Sequence, residues 1–363
     1  MKTVFISVFC LLLSTCTLSA HVPDATKELN TFQDKIALQE AQMMFAKAFE
    51  LYYANKTDEM ISSYHELIDR FGNSTNREIE AIIAQAMYNL ALGYKSKNDV
   101  KAEKRLYERI VSRFINSKDE YIEYVTAISL FSISSIAFNA NDTKSEIEIY
   151  KKFIDRFENT SNENIYNFLA TAMTSLGYEY SAMNETAKAI DIYNRLTDKF
   201  EDSQEEYIQT LVAAGSINFG INQVHSGNLK DGLKTFQRII ERFQNSTNTD
   251  IMQSVSMAVV NTIEIEICNG IAPSFSDKNE KLAKQREYST FMYEFLQILY
   301  AANNKAQTKE LKELKEKYSD FGFKKVDSAF DFSDLNNWQS QLKSPKKEWV
   351  KECIDVLREF AEK

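Results

Sequence analysis

The sequence predicts an all-α fold, an α-solenoid of helix–turn–helix repeats with a helical C-terminal cap. Three observations carry this. Only 9 Gly and 3 Pro occur in 363 residues, and these are the residues that punctuate the many turns of a β-sandwich or barrel. Columns of similar residues recur every 43 positions, the mark of stacked supersecondary units. Inside each period the apolar residues step by three and four, which lines them along one side of a helix.

The first element is an export segment. Lys2 precedes an apolar run over 4–13, and small residues follow to Ala20. That order matches a secretory signal peptide over 1–20 and is short for a membrane span. Two cleavage points compete. Ala20 is small enough to precede a cut before His21. Leu13-Ser14-Thr15-Cys16 resembles a bacterial lipobox, which would make Cys16 the lipidated first residue, although Thr15 departs from the small residue that motif carries. Both routes lead to an oxidising compartment. Beyond the export segment only Cys268 and Cys353 remain. They are candidates for one disulfide or for two thiols in apolar surroundings. The formal charge of −9 gives no basis for binding nucleic acid or an anionic membrane surface, both of which require basic patches.

Residues 21–35 lead into the repeats. Phe71, Phe114, Phe157, Phe200 and Phe243 then follow one another at the 43-residue step, each preceded by Arg or Lys. Seven positions earlier lie Tyr64, Tyr107, Tyr150, Tyr193 and Phe236. Ile36, Ile79, Ile122, Ile165, Ile208 and Ile251 keep the step, as do Ala41, Ala84, Ala127, Ala170, Ala213 and Ser256. The units are therefore 36–78, 79–121, 122–164, 165–207 and 208–250, with a half-unit at 251–267. Each divides into two helices at a turn column reading Asn55, Asn98, Asn141, Asn184 and Gly227. In the fourth unit Thr186 is the expected N-cap of the second helix. The unit then closes on Phe-x-Asn/Asp-Ser/Thr, where the Asn or Asp is expected to take a left-handed conformation and the Ser or Thr to cap the next helix. A single helical pair cannot bury both faces, so neighbours must stack.

These features resemble the tetratricopeptide repeat family, with an unusual 43-residue period. Met173, Leu176-Gly177, Tyr180, Ala189, Tyr193 and Leu196 follow its pattern closely in the fourth unit. The small residue that lets the paired helices approach is Ala48, Ala91, Ser134, Gly177 or Gly220, and its second-helix partner is Met60, Glu103, Glu146, Ala189 or Gly232. The family unit is about 34 residues, so a longer loop and first helix absorb the excess. The resemblance implies a right-handed superhelix whose first helices line a binding face. Carried over by position, that lining includes Phe45, Phe49 and Tyr52, then Tyr88, Leu92 and Lys95, then Phe131 and Phe138, then Tyr178. Gln42, Gln85, Ile128, Ser135, Thr171, Thr174 and Ser181 and, in the fifth unit, Ala214, Ile217, Ile221 and Val224 complete it. It is apolar and aromatic with one cation, unlike the basic clamp that grips a C-terminal carboxylate.

The repeat loses register after 267. Residues 268–302 hold a break and a helical stretch over 280–302 that completes the sixth unit, and 303–363 form the expected cap. Within the latter, 308–318 reads as a charged, solvated helix with Glu313 and Lys317 paired. Ser344-Pro345 starts a last helix carrying Trp349, Cys353, Leu357 and Phe360 on one face. No phosphate loop, nucleophile elbow or metal-binding His/Cys spacing occurs. The sequence thus points to a non-enzymatic scaffold of the bacterial cell envelope, without cofactor or metal, that binds a protein or peptide. A periplasmic glycan or small-molecule binding module and a lipid-anchored assembly factor are the alternatives.

Overall fold

The computed structural model describes residues 32–301 and 308–318. Every regular element among them is helical. The chain divides between Ile136 and Ala137 into two compact units. The expected export segment, Cys16, Cys353 and the last predicted helix lie outside the described residues.

The first compact unit holds α1 (Phe32–Tyr53), α2 (Thr57–Phe71), α3 (Arg77–Ser96), α4 (Val100–Phe114) and most of α5 (Glu120–Asn139). Each of α1, α2 and α3 packs on its successor, and α1 also packs on α3. The second holds α6 (Thr143–Phe157), a short 3-10 turn (Glu163–Ile165), α7 (Tyr166–Ala182), α8 (Thr186–Phe200), α9 (Glu206–His225), α10 (Leu229–Phe243), α11 (Thr249–Cys268), α12 (Asp277–Ala283), α13 (Glu287–Ala301) and α14 (Thr308–Lys317). There too successive helices pack together, and α7, α9 and α11 touch in turn. The second helix of every repeat is 15 residues long and starts and ends in the same column. The predicted aromatic column is core: Tyr64, Tyr107, Tyr193 and Phe236 are fully buried and Tyr150 nearly so. The Ala41-to-Ser256 column has no exposed surface at any of its six positions.

The turns obey a finer rule than the sequence suggested. Asn55, Asn98, Asn141 and Asn184 have φ of 54–57°, and Gly227 has φ of 87°. This left-handed conformation suits Gly and Asn, and it ends every first helix. Between repeats the expectation fails. The residues after Phe71, Phe114, Phe157, Phe200 and Phe243 stay right-handed at φ of −55 to −63°, and no Asn of the closing motif has positive φ among the described residues. Here the backbone is held by the Ser or Thr instead. Its N–H bonds the Phe carbonyl at 2.9–3.0 Å in all five copies. Its hydroxyl accepts from the N–H two residues on, at 3.1–3.2 Å. The residue so held, Asn76, Asp119, Asn162 or Asn248, is the true cap and accepts from the first helical amides. Thr186 is likewise not a cap; Glu185 stands there without a side-chain bond to the helix amides, where Asp99 and Asp142 do cap.

The basic residue before each Phe also acquires a role. Arg113 lies over the Phe114 ring at 4.8 Å and donates to the Gly72 carbonyl, to the Ser74 carbonyl at 3.0 Å and to Glu80 at 3.3 Å. It stitches its own unit to the turn before it.

The two ends depart from the pattern. Ile36 is exposed whereas its five equivalents are buried. Glu40, Lys47 and Glu50 on the same side of α1 replace Ile83, Leu90 and Gly93 one period later, all three buried. At the other end the predicted helix over 280–302 is two helices. Pro273 lacks an N–H and restrains Ala272, so the sixth second helix starts only at Asp277, capped by Ser276. Arg286 stands where Phe closes the other units, and α12 stops at Ala283. The next helix, α13, packs on both α11 and α12. The helix predicted as solvated is amphipathic: Leu311 and Leu314 of α14, with Tyr318 just beyond, are buried. Lys317 bonds Glu294 of α13 at 2.8 Å rather than Glu313, which pairs with Lys309. Cys268 is half-buried at the end of α11.

Candidate functional site

The first helices carry the predicted lining, and the two compact units hold separate parts of it. In the first unit a chain of rings runs along α1. Phe45 and Phe49 stack at 6.1 Å, Phe49 meets Tyr53 edge-on at 5.0 Å, and Tyr53 meets Tyr52 at 5.6 Å. Phe45 is anchored on the buried Tyr64 ring at 5.7 Å. Tyr52 and Tyr53 are 46% and 60% exposed, and offset or edge-on pairs are the favoured aromatic geometries. Tyr53 was not singled out from the sequence, because its helical position lies one step from the carried-over lining. Its exposure follows from its place in the last turn of α1.

Beside this chain, α3 contributes less than expected. Leu92 is half-buried and Lys95 exposed, but Tyr88 is core. Its ring packs on Tyr107 of α4 at 5.5 Å, and burial pushes its hydroxyl up to about 12. Tyr88 therefore offers no surface for recognition and is corrected from lining to packing. Ile128 is buried in the same way, and Phe131 is half-buried. A polar line through Gln85, itself one of the expected lining residues, crosses the face. Tyr121 donates to Gln85 at 2.7 Å, Gln85 to Asn89 at 2.7 Å, and Asn89 to the Tyr64 hydroxyl at 2.9 Å. Such a chain fixes side-chain orientations and leaves Tyr121 exposed at its end.

In the second unit Phe138 and Tyr178 are 66% and 52% exposed. Next to Tyr178 on α7, Ser181 accepts from Asn222 of α9 at 2.8 Å, and the Thr171 hydroxyl meets that of the exposed Tyr207 at 3.1 Å. The fifth-unit lining is lost to the core: Ile217 is buried, and Ile221 and Val224 pack against the cluster formed with α10, α11 and α13. A depression of about 330 Å³ lies on α6, α7 and α8, floored by Ile154, Leu176, Tyr180 and Ile192. Its rim carries Lys151, Lys188 and Arg195 against Asp155 and Asp191. Arg195 is already held by Glu158 through two bonds of 2.7 Å. The rim has no net preference for one charge.

Among the described residues no group of three or more His, Cys, Asp or Glu side chains converges as a metal site would. No protein-family model matches the chain, and no curated protein matches it either. Twelve chains of solved structures match. One is the crystal structure of the apo form of RapI, which covers 89% of this chain and 100% of its own at 16% identity and a TM-score of 0.38.

Proposed function

We propose that this chain is a tetratricopeptide-like interaction scaffold, exported to the bacterial cell envelope, that holds a protein or peptide partner on the first-helix face of its repeats and catalyses no reaction. The observation that supports this reading most is the chain of aromatic rings on α1, ending in two exposed tyrosines. Contiguous exposed aromatic surface is costly in water and marks interaction sites. Tyrosine supplies contact area and a polar tip at low entropic cost. The export segment supports the location, and the repeat architecture supports a binding rather than a chemical role. Anchoring through a lipid on Cys16 belongs to the same reading.

A photo-crosslinking residue at Tyr52, introduced into the chain in its native envelope, tests this. The expected result is a discrete adduct at Tyr52 and none at Glu108, on the exposed side of α4. Equal labelling at both positions, or none at Tyr52, counts against the first-helix face. A second reading, a glycan-binding module, rests on the same exposed tyrosines, since aromatic faces stack on sugar rings. It predicts a rise in melting temperature with soluble peptidoglycan fragments, which the first reading does not.

A further inference from the structure

The depression on α6, α7 and α8 is separate from the first-helix lining, and its origin is visible in the repeat. Ala187 lines it at the start of α8, in a column that otherwise reads Asp58, Lys101, Lys144 and Lys230. A side chain that ends at Cβ leaves open the space a lysine would cross. The resulting volume, about 330 Å³, falls at the small end of ligand sites. The two walls above the apolar floor differ in how their charges are spent. On α8, Lys188 pairs with Glu185 at 2.5 Å and lies over the Tyr180 ring. Arg195 is held by Glu158 and reaches Asp191 at 3.4 Å. On α6, Lys151 and Asp155 stand one turn apart, both exposed, a spacing at which opposite charges often pair. Here they do not meet, and neither side chain has a hydrogen bond or ion pair to any described residue. One uncommitted cation and one uncommitted anion thus flank an apolar floor.

We propose that this depression binds a free amino acid with an aliphatic side chain. The side chain lies on Ile154, Leu176 and Ile192, the carboxylate meets Lys151 and the ammonium meets Asp155. An exposed charge alone holds little in water. Burial of the apolar stem supplies the affinity, and the Lys151–Asp155 pair selects a zwitterion and sets its direction. An anion or a cation of the same shape leaves one of these two charges unmet, which is the basis of discrimination. The site stands whether or not the first-helix face holds a partner.

Equilibrium dialysis of the full chain against radiolabelled leucine tests the proposal, at about pH 6 so that the amine of a leucinamide competitor stays protonated. Leucine should bind saturably. Leucinamide, which lacks the carboxylate, and 4-methylpentanoate, which lacks the ammonium, should compete about tenfold less well than unlabelled leucine, or worse. Lys151→Gln should erase the advantage of leucine over leucinamide and keep that over 4-methylpentanoate. Asp155→Asn should do the reverse. Ala187→Lys, which supplies the residue of three sister helices, should abolish binding with helicity unchanged. Absence of saturable leucine binding would overturn the site. So would equal competition by all three compounds, or full binding by a folded Ala187→Lys chain.

Discussion

The hairpins α3–α4 and α9–α10 occupy the same place in the repeat and solve the same contact with different chemistry. In α9–α10 the approach is glycine against glycine. A Cβ on Gly220 would meet the Phe236 ring at 2.6 Å, and one on Gly232 would meet Val224 at 2.5 Å and the Gly220 carbonyl at 2.8 Å. In α3–α4 the pair is Ala91 against Glu103, both buried. The first hairpin gains closeness at the entropic cost of glycine in a helix. The second accepts a long glutamate side chain whose stem is packed between the helices. The repeat therefore fixes where two helices must meet and leaves the means open.

The largest effect should come from closing the glycine contact. Gly220→Ala forces the Phe236 ring to move and should cost about 1–3 kcal/mol, as overpacking does, read as a lower urea midpoint at unchanged slope. Loss near zero would mean that the ring shifts freely and that glycine is not needed. A smaller, opposite effect is expected at the same ring. Tyr64 accepts from Asn89, but the equivalent pair in α10 and α11 is Phe236 and Asn261, and the Asn261 amide nitrogen is buried without a partner. Phe236→Tyr should restore the bond and stabilise the chain by about 0.5–1.5 kcal/mol. Tyr193 already sits against Gly177 as closely as Phe236 does against Gly220, so a hydroxyl fits the column. A loss on this substitution would show that the columns are not interchangeable. The smallest change belongs to the turn. Gly227→Asn should stay within about 0.5 kcal/mol, because Asn holds the left-handed conformation in four sister turns.

Much of this architecture was legible in the sequence because repetition exposes it. A column that reads Tyr, Tyr, Tyr, Tyr, Phe in five copies is read once with fivefold support, and all five proved buried. What stayed hidden depends on atoms from other helices. Asn73 looks like a helix-stopping residue, yet the Ser74 hydroxyl and the Phe71 carbonyl hold that turn right-handed. Tyr88 shares its column with Phe45, but α4 brings Tyr107 against it, and a single helix cannot reveal what a neighbour covers. The solvated appearance of α14 came from its charges, whereas Leu311 and Leu314 decide its packing. Pro273 is plain in the sequence, but where the helix resumes and how soon it ends depend on Ser276, which caps a short helix, and on the packing that follows it.

Deleting one whole period, residues 165–207, tests the central claim most directly. The cut joins 164 to 208 in the register that joins 207 to 208, so each remaining helix keeps a neighbour of the same kind. The account predicts a soluble chain with unchanged helical circular dichroism per residue and a cooperative thermal transition. Loss of that helicity, or a broad non-cooperative melt, would contradict the idea that 43-residue hairpins are the units that stack.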